Sequence, residues 1–456
     1  MSLTVEDYVD HPECRGDLEP SAVASLFLTR IAERVDLFAV VSVSEDRVQQ
    51  DAQRAAAARR AGKPLPLDGL PILVKDNIDV AGVPCRVGSP LFADRVSATD
   101  AECVRRLSEA GAVVLGKTTL HELVYGGTTD SPFYGRTKNP WDLERIVGGS
   151  SGGSGAAVAA GLCAVALGSD TGGSIRLPAH LNGVVGMRPT YGSVSVRGAQ
   201  PIGASLDTVG TLARHARDAA AVQSVITGQD WNDTWSIEVP RPPRTAMRTA
   251  AVLDERTIGT IEPGVRARVE DAVAALNRLG VATRARHLQG FAQAREDASR
   301  VVRVEAWTLY KADLAATPEK FSDETTDRLR SGAVVSIDEL MSSVWRVAEW
   351  RQGIRRLLAE EVDLLVLPSV PIVAPVAGST GMIAATALLT SLTSPISAAH
   401  VPAVSVPCGL ADGLPVGVQL VAAPGRDQDL LALAAQLQSL FPPPWPPGLT
   451  QDRRKS

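Results

Sequence analysis

Apolar residues recur along this chain in two alternating periods. Over residues 21–36 (SAVASLFLTRIAERVD) and 44–61 they fall at three- and four-residue intervals, which predicts two amphipathic helices near the N-terminus. A short apolar run from Ile72 to Val74 predicts a strand leading into a polar turn at Lys75-Asp76-Asn77. Asp100 reads as the N-cap of a helix, DAECVRRLSEAG, which Gly111 closes before a strand at AVVLG. The alternation continues with a small-residue helix at 155–162, a buried strand at 163–170 (CAVALGSD), and a helix at 263–280 before strand VATRA. Helices near 297–313 and 336–360 then precede strand VDLLVLPS at 362–369. Buried strands alternating with amphipathic helices predict a layered α/β fold.

At residues 148–155 the pattern gives way to GGSSGGSG. Such a run can serve as a flexible linker. Its flanks are tightly patterned, however, and Gly/Ser pieces return after the next strand at Gly168-Ser169 and Gly172-Gly173-Ser174. Recurrence in phase with strand and helix fits a loop that shapes a site better than it fits a spacer. There is no internal repeat. The expectation is one domain over residues 1–443, with N-terminal helices at about 20–61, and a loose Pro-rich tail at 444–456.

Composition narrows the function classes. The 456 residues are 45% hydrophobic and 21% charged, ordinary values for a globular chain. A net charge of −5 provides no general attraction to nucleic acid or anionic membrane, so neither is expected as a partner. Five scattered cysteines without a C-x-x-C pair argue against a disulfide scaffold or a zinc site and fit a reducing compartment. Acids at Glu6, Asp7 and Asp10, with no apolar stretch among them, speak against a signal peptide. No apolar run reaches the ~18 residues of a membrane span. A cytoplasmic protein is the expectation.

Three motifs compete for the chemistry. Gly111-Ala-Val-Val-Leu-Gly116-Lys117-Thr118 matches the phosphate-loop pattern letter for letter. A phosphate loop needs a strand before it and a helix after it, with the variable positions aiming N–H groups at the nucleotide. Here those positions are an apolar strand preceded by a helix. Gly148-Gly149-Ser150-Ser151-Gly152 satisfies the G-x-S-x-G elbow. Its lead-in, NPWDLERIV, is no buried strand, and His180, His215, His287 and His400 lack the setting of a base. The third reading centres on Ser174, in Ser169-Asp170-Thr171-Gly172-Gly173-Ser174-Ile175-Arg176 directly after a buried strand. Two glycines before the serine let the backbone approach a substrate. The N–H groups of Thr171, Gly172 and Gly173, with that of Ser174, are candidate oxyanion donors, each worth ~3–4 kcal/mol in such sites. No histidine is placed to deprotonate Ser174, and lysine can take that part.

These residues resemble the amidase-signature family. The block Gly148-Gly-Ser-Ser-Gly-Gly-Ser, the run Ala-Ala-Val-Ala-Ala-Gly-Leu and Leu-Gly-Ser-Asp-Thr-Gly-Gly-Ser-Ile-Arg-Leu-Pro are similar to its signature. Pro71-Ile-Leu-Val-Lys75-Asp-Asn, Asn139-Pro-Trp-Asp, Val185-Gly-Met-Arg-Pro-Thr-Tyr-Gly, Val404-Ser-Val-Pro-Cys-Gly and Gly413-Leu-Pro-Val-Gly-Val-Gln-Leu resemble its flanking blocks, over about residues 20–440. The resemblance implies an α/β fold with a mixed central sheet covered by helices on both faces. It places the family's Ser–cis-Ser–Lys triad on Ser174, Ser150 and Lys75, with Ser150 preceded by a cis peptide bond. Ser151, Asp170 and Arg176 fall on supporting positions. No cofactor and no metal are implied.

The resemblance further implies an amidase acting on a small-molecule amide, releasing acid and ammonia or amine. Deprotonating a lysine of pKa ~10.4 at pH 7 costs ~4.6 kcal/mol, so Lys75 needs burial, which the preceding Ile-Leu-Val run makes available. A hydrolase similar to the carboxybiuret hydrolases is the alternative branch, followed by an amidotransferase subunit, against which Leu177 stands, and by a non-catalytic partner subunit. Homodimerisation and a small partner subunit both stay open. Asn182 stands where many relatives have Cys, and His180 is likewise unusual. The loop Tyr125–Tyr134 is expected in the pocket wall, with Trp307, Tyr310 and Trp345 as candidate lining.

Overall fold

The computed structural model describes residues 4–449 apart from 17, 241, 243–245 and 380. The N-terminal half supplies strands β1 (Val40–Val43), β2 (Pro71–Lys75), β3 (Val113–Thr118), β4 (Asp130–Ser131), β5 (Gly135–Arg136), β6 (Val165–Asp170), β7 (Val185–Arg188) and β8 (Thr208–Ala213). The C-terminal half adds β9 (Thr249–Leu253), β10 (Ala282–Arg286), β11 (Leu364–Pro368), β12 (Ala403–Ala411) and β13 (Leu414–Ala422). Except for the small β4–β5 ribbon, they join one mixed sheet in the order β1-β3-β2-β6-β8-β7-β12-β13-β11-β9-β10.

Strands with apolar residues at successive positions must be covered on both faces. β2 and β6 are buried along their whole length and pair in parallel, with Val74 opposite Leu167. Their carboxyl ends therefore lie side by side, the usual place for a site in such sheets. β3 pairs in parallel on the other side of β2. The sheet is flanked by helices, among them the expected pair at Pro20–Glu33 and Glu45–Arg60. Three helices, Phe291–Ala316, Asp323–Ala333 and Ile337–Glu360, form a further helical layer. Among the described residues no helix is long and apolar enough to cross a membrane.

Several local expectations change. Lys75 ends strand β2 and does not belong to the turn. Asp100 does not cap its helix, whose N-cap is Ala101; it accepts two hydrogen bonds from the Arg47 guanidinium at 2.8 and 3.0 Å. Residues 444–449, assigned by sequence to the tail, lie against the body: Trp445 Nε1 donates to Asp10 at 2.9 Å, Arg214 stacks 3.8 Å from its ring, and Leu449 is buried. The remainder of that tail, 450–456, lies outside the described residues. Cys85, Cys103, Cys163 and Cys408 are buried and unbridged.

Candidate active site

The Gly/Ser run is no spacer. Ser150 and Ser151 lead into the helix Gly152–Ala159, every residue of which is buried. Glycine is required where this helix meets β3: a Cβ on Gly153 would lie 2.3 Å from Thr119 Oγ1 and 2.6 Å from its backbone nitrogen. The Gly149–Ser150 peptide bond is cis, as the resemblance implies.

Lys75, fully buried at the end of β2, places Nζ 2.7 Å from Ser150 Oγ and 2.9 Å from Ser169 Oγ. Burial drives its pKa well below the ordinary lysine value, against the opposing pull of Asp170 and Asp207. Strand alternation turns Asp76 away from it. Asp76 pairs instead with the buried Lys117 at 3.1 Å and accepts the Arg86 N–H at 3.0 Å. Lys117 thus lies within the sheet against an acid, where no phosphate could reach it.

Ser174 stands two residues before the helix Arg176–Asn182 and lines a cavity of about 480 Å³ together with Thr171 and Gly172. Its carbonyl accepts the Ser151 N–H at 3.1 Å, and Ser151 Oγ donates to the Ser169 carbonyl at 3.1 Å, so the two serine loops are tied to one another and to β6. Gly173 has φ of 134°, and a Cβ there would sit 2.1 Å from Thr393 Oγ1, so only glycine fits.

Asp170 organises this turn from below. Its carboxylate accepts the N–H groups of Gly173 (2.9 Å) and Ile175 (3.2 Å), two bonds from Arg176 (2.9 and 3.0 Å) and one from Arg188 (3.0 Å). Burial alone would raise its pKa, but Arg176 and Arg188 outweigh burial and hold it well below the carboxylate range. Arg176 also donates to Gln419 Oε1 and Ser397 Oγ, both at 2.6 Å, and is shut off from solvent. The N–H of Gly173, a candidate oxyanion donor by sequence, is thereby already taken by Asp170.

No histidine addresses Ser150 Oγ among the described residues. His121 touches Ser150 through its backbone N–H, which donates to the Ser150 carbonyl at 3.1 Å; its ring accepts the Thr129 N–H on Nδ1 at 3.2 Å and faces Glu324 at 3.4 Å. His180 is buried under the opposite end of the site helix, where it accepts the Gly417 N–H on Nδ1 at 3.0 Å and lies 3.1 Å from the Ile372 carbonyl. Asn182 ties that helix to the serine loop, donating to the carbonyls of Val147 and Pro178 at 2.8 Å each. Both residues therefore hold backbone in place and leave the cavity alone.

The cavity wall differs from the one expected. Tyr125 and Gly126 of the 125–134 loop line it, but Trp307, Tyr310 and Trp345 do not. Tyr310 is buried in an apolar cluster whose members Val124 and Ile202 do reach the wall, and Trp345 is 64% exposed on the outer face of its helix. Aromatic residues at helical spacing carry no mark that separates core from pocket. Sequence reasoning also missed Ser169, Asn77, whose Nδ2 donates to Ser169 Oγ at 3.4 Å, Asp207, whose charge acts on Lys75, and Arg188. Ser169 and Arg188 stand inside the blocks that resemble the family, and alternation along β6 was the available signal that Ser169 and Asp170 face opposite ways. Among the described residues no group of three His, Cys, Asp or Glu side chains is arranged to hold a metal ion.

A family model described as Amidase matches residues 22–431. The chain belongs to the amidase family. Among curated amidase-family relatives, a glutamyl-tRNA(Gln) amidotransferase subunit of Symbiobacterium thermophilum is 36% identical, over 93% of this chain and 94% of that one. A solved structure described as a vestigial protein complex revealing the evolutionary origins of an s-triazine catabolic enzyme overlays with TM-score 0.89 at 31% identity, covering 97% of this chain and 100% of the other. A crystal structure of an amidase overlays with TM-score 0.84 at 33% identity, covering 96% and 100%. Amidase-family membership supports amide C–N hydrolase or amidotransferase chemistry.

Proposed function

We propose that this chain hydrolyses the C–N bond of a carboxylic amide through an acyl-enzyme on Ser174, with Ser150 as bridge and Lys75 as base. The carrying observation is the 2.7 Å approach of Lys75 Nζ to Ser150 Oγ in a fully buried setting. Neutral Lys75 accepts a proton from Ser150 as Ser150 takes the proton of Ser174. Ser174 Oγ bonds to the amide carbon, and the carbonyl oxygen becomes an oxyanion. The C–N bond then breaks as the relayed proton passes back through Ser150 to the leaving nitrogen. Water attacks the acyl carbon by the reverse route, releasing acid and restoring Ser174.

In this reading the oxyanion donors are the N–H groups of Thr171, Gly172 and Ser174; Gly173 drops out because Asp170 holds its N–H. Ser151, Asp170 and Arg176 position the two serine loops. A fluorophosphonate probe tests the nucleophile: the wild type is labelled on Ser174, and Ser174→Ala is not labelled at all. Labelling of Ser150 in that variant would replace this mechanism with the elbow reading.

A second reading has an observation in its favour. The curated relatives at about 36% identity over nearly the full chain are amidotransferase subunits, so this chain could release ammonia to a partner subunit instead of to water. Ammonia release from amides, ureas and carboxybiuret by the chain alone favours the hydrolase. Release confined to glutamine and dependent on added partner favours the amidotransferase.

A further inference from the structure

Amide hydrolysis needs no charge beyond the serine–lysine relay, yet the cavity above Ser174 is lined by Arg295, Arg303 and Arg328. Two of the three are matched. Arg295 lies 3.4 Å from Glu296, and Arg328 lies 2.8 Å from Glu324 with its guanidinium 5.6 Å over the Tyr125 ring. Arg303, mid-way along the helix Phe291–Ala316, forms no ion pair among the described residues, and its Nε is buried without a hydrogen-bond partner. Asp327, the remaining acid in the wall, is exposed, so water screens it. The positive charge of Arg303 reaches the Tyr125 phenol, in the same wall. Arg303 thus gives the cavity wall a guanidinium that no acid among the described residues neutralises, the donor that a ligand carboxylate would match.

We propose that Arg303 reads a carboxylate on the substrate, which makes the substrate the mono-amide of a short dicarboxylic acid. The inference rests on the amide-hydrolase reading above. With ammonia as leaving group, the acyl portion is what fills the cavity, so the carboxylate sits at its far end. Arg303 would be a specificity residue that binds the acyl chain and takes no part in proton transfer.

The test compares malonamate, succinamate and glutaramate with the uncharged propionamide, butyramide and valeramide, in wild type, Arg303→Met and Arg303→Lys. In the wild type the best acidic amide should exceed its neutral counterpart in kcat/KM by ~100-fold, the scale of one charge-assisted contact. Arg303→Met should lose that advantage while hydrolysing the neutral amides within about threefold of wild type, and Arg303→Lys should recover part of it. Equal rates on acidic and neutral amides in the wild type, or an equal loss on both in Arg303→Met, would overturn the proposal. If no amide is turned over, hydrolysis itself fails, and calorimetry then tests the subsite directly: succinate binding to Ser174→Ala, lost when Arg303→Met is added, upholds it, and absence of succinate binding overturns it.

Discussion

Lys75 Nζ lies 2.9 Å from Ser169 Oγ as well as 2.7 Å from Ser150 Oγ. A neutral amine has two N–H groups and one lone pair. Committing an N–H to Ser169 turns the lone pair toward Ser150, the orientation a base needs. Ser169→Ala should therefore lower kcat by ~10-fold with KM nearly unchanged, since the lost interaction acts in the proton transfer. Ser169→Thr keeps the hydroxyl and should restore most of the rate. Equal KM and kcat effects in Ser169→Ala would assign the residue to substrate binding instead.

As the proposed base, Lys75 also sets the expected pH profile. Its pKa is driven well below 10.5 by burial, and the charges of Asp170 and Asp207 oppose that shift. The proposed mechanism needs the neutral amine, so kcat/KM should rise with pH through the depressed lysine pKa and level off above it, with the limb well to the acid side of an ordinary lysine. Asp207→Asn removes a charge that holds the proton on Lys75, so the limb should move further toward acid. A limb that stays fixed, or moves toward alkali, would argue against Lys75 as base.

Asp170 stands between two fully buried arginines, Arg176 and Arg188. Asp170→Asn leaves both guanidinium groups without their carboxylate, a change that costs ~3–5 kcal/mol for a single buried pair. The variant should lose thermal stability strongly and lose activity with it. Arg188→Met, which leaves the Arg176 bonds to Asp170 in place, should retain more stability than Asp170→Asn when both are melted under the same conditions.

The sequence disclosed the periodic parts of the molecule well. The helices at Pro20–Glu33, Glu45–Arg60, Pro263–Arg278 and Ile337–Glu360 follow their apolar spacing, and the fully buried β2, β6 and β11 follow their apolar runs. What stayed hidden depends on contacts between distant segments. Arg188 belongs to a short strand with no alternation of its own, and only the folded chain shows that it meets Asp170. Arg303 sits among other arginines of one long amphipathic helix, and nothing in that spacing separates a solvated charge from one turned into a cavity. The same holds for Trp345, where an exposed aromatic and a pocket aromatic share one helical period. Local rules place elements; they do not say which faces meet.

Glu305 offers a check on the electrostatics near the cavity that does not depend on catalysis. It accepts the Ser205 hydroxyl at 3.0 Å and the Ser205 N–H at 3.3 Å. Burial, aided by the neighbouring Asp207 charge, raises its pKa from 4.5 to about 7. Between those two values the unfolded chain has lost the proton and the folded chain has kept it, so folding binds a proton and stability falls as pH rises. Above about 7 the folded protein carries the full cost of the buried charge. Glu305→Gln removes that cost and preserves an acceptor for Ser205. Its melting temperature should exceed that of the wild type at pH 8, and the advantage should shrink to nothing by pH 4, where both folded and unfolded wild-type chains hold the proton. A difference of the same size at both pH values would show that packing, and not ionisation, separates the two proteins.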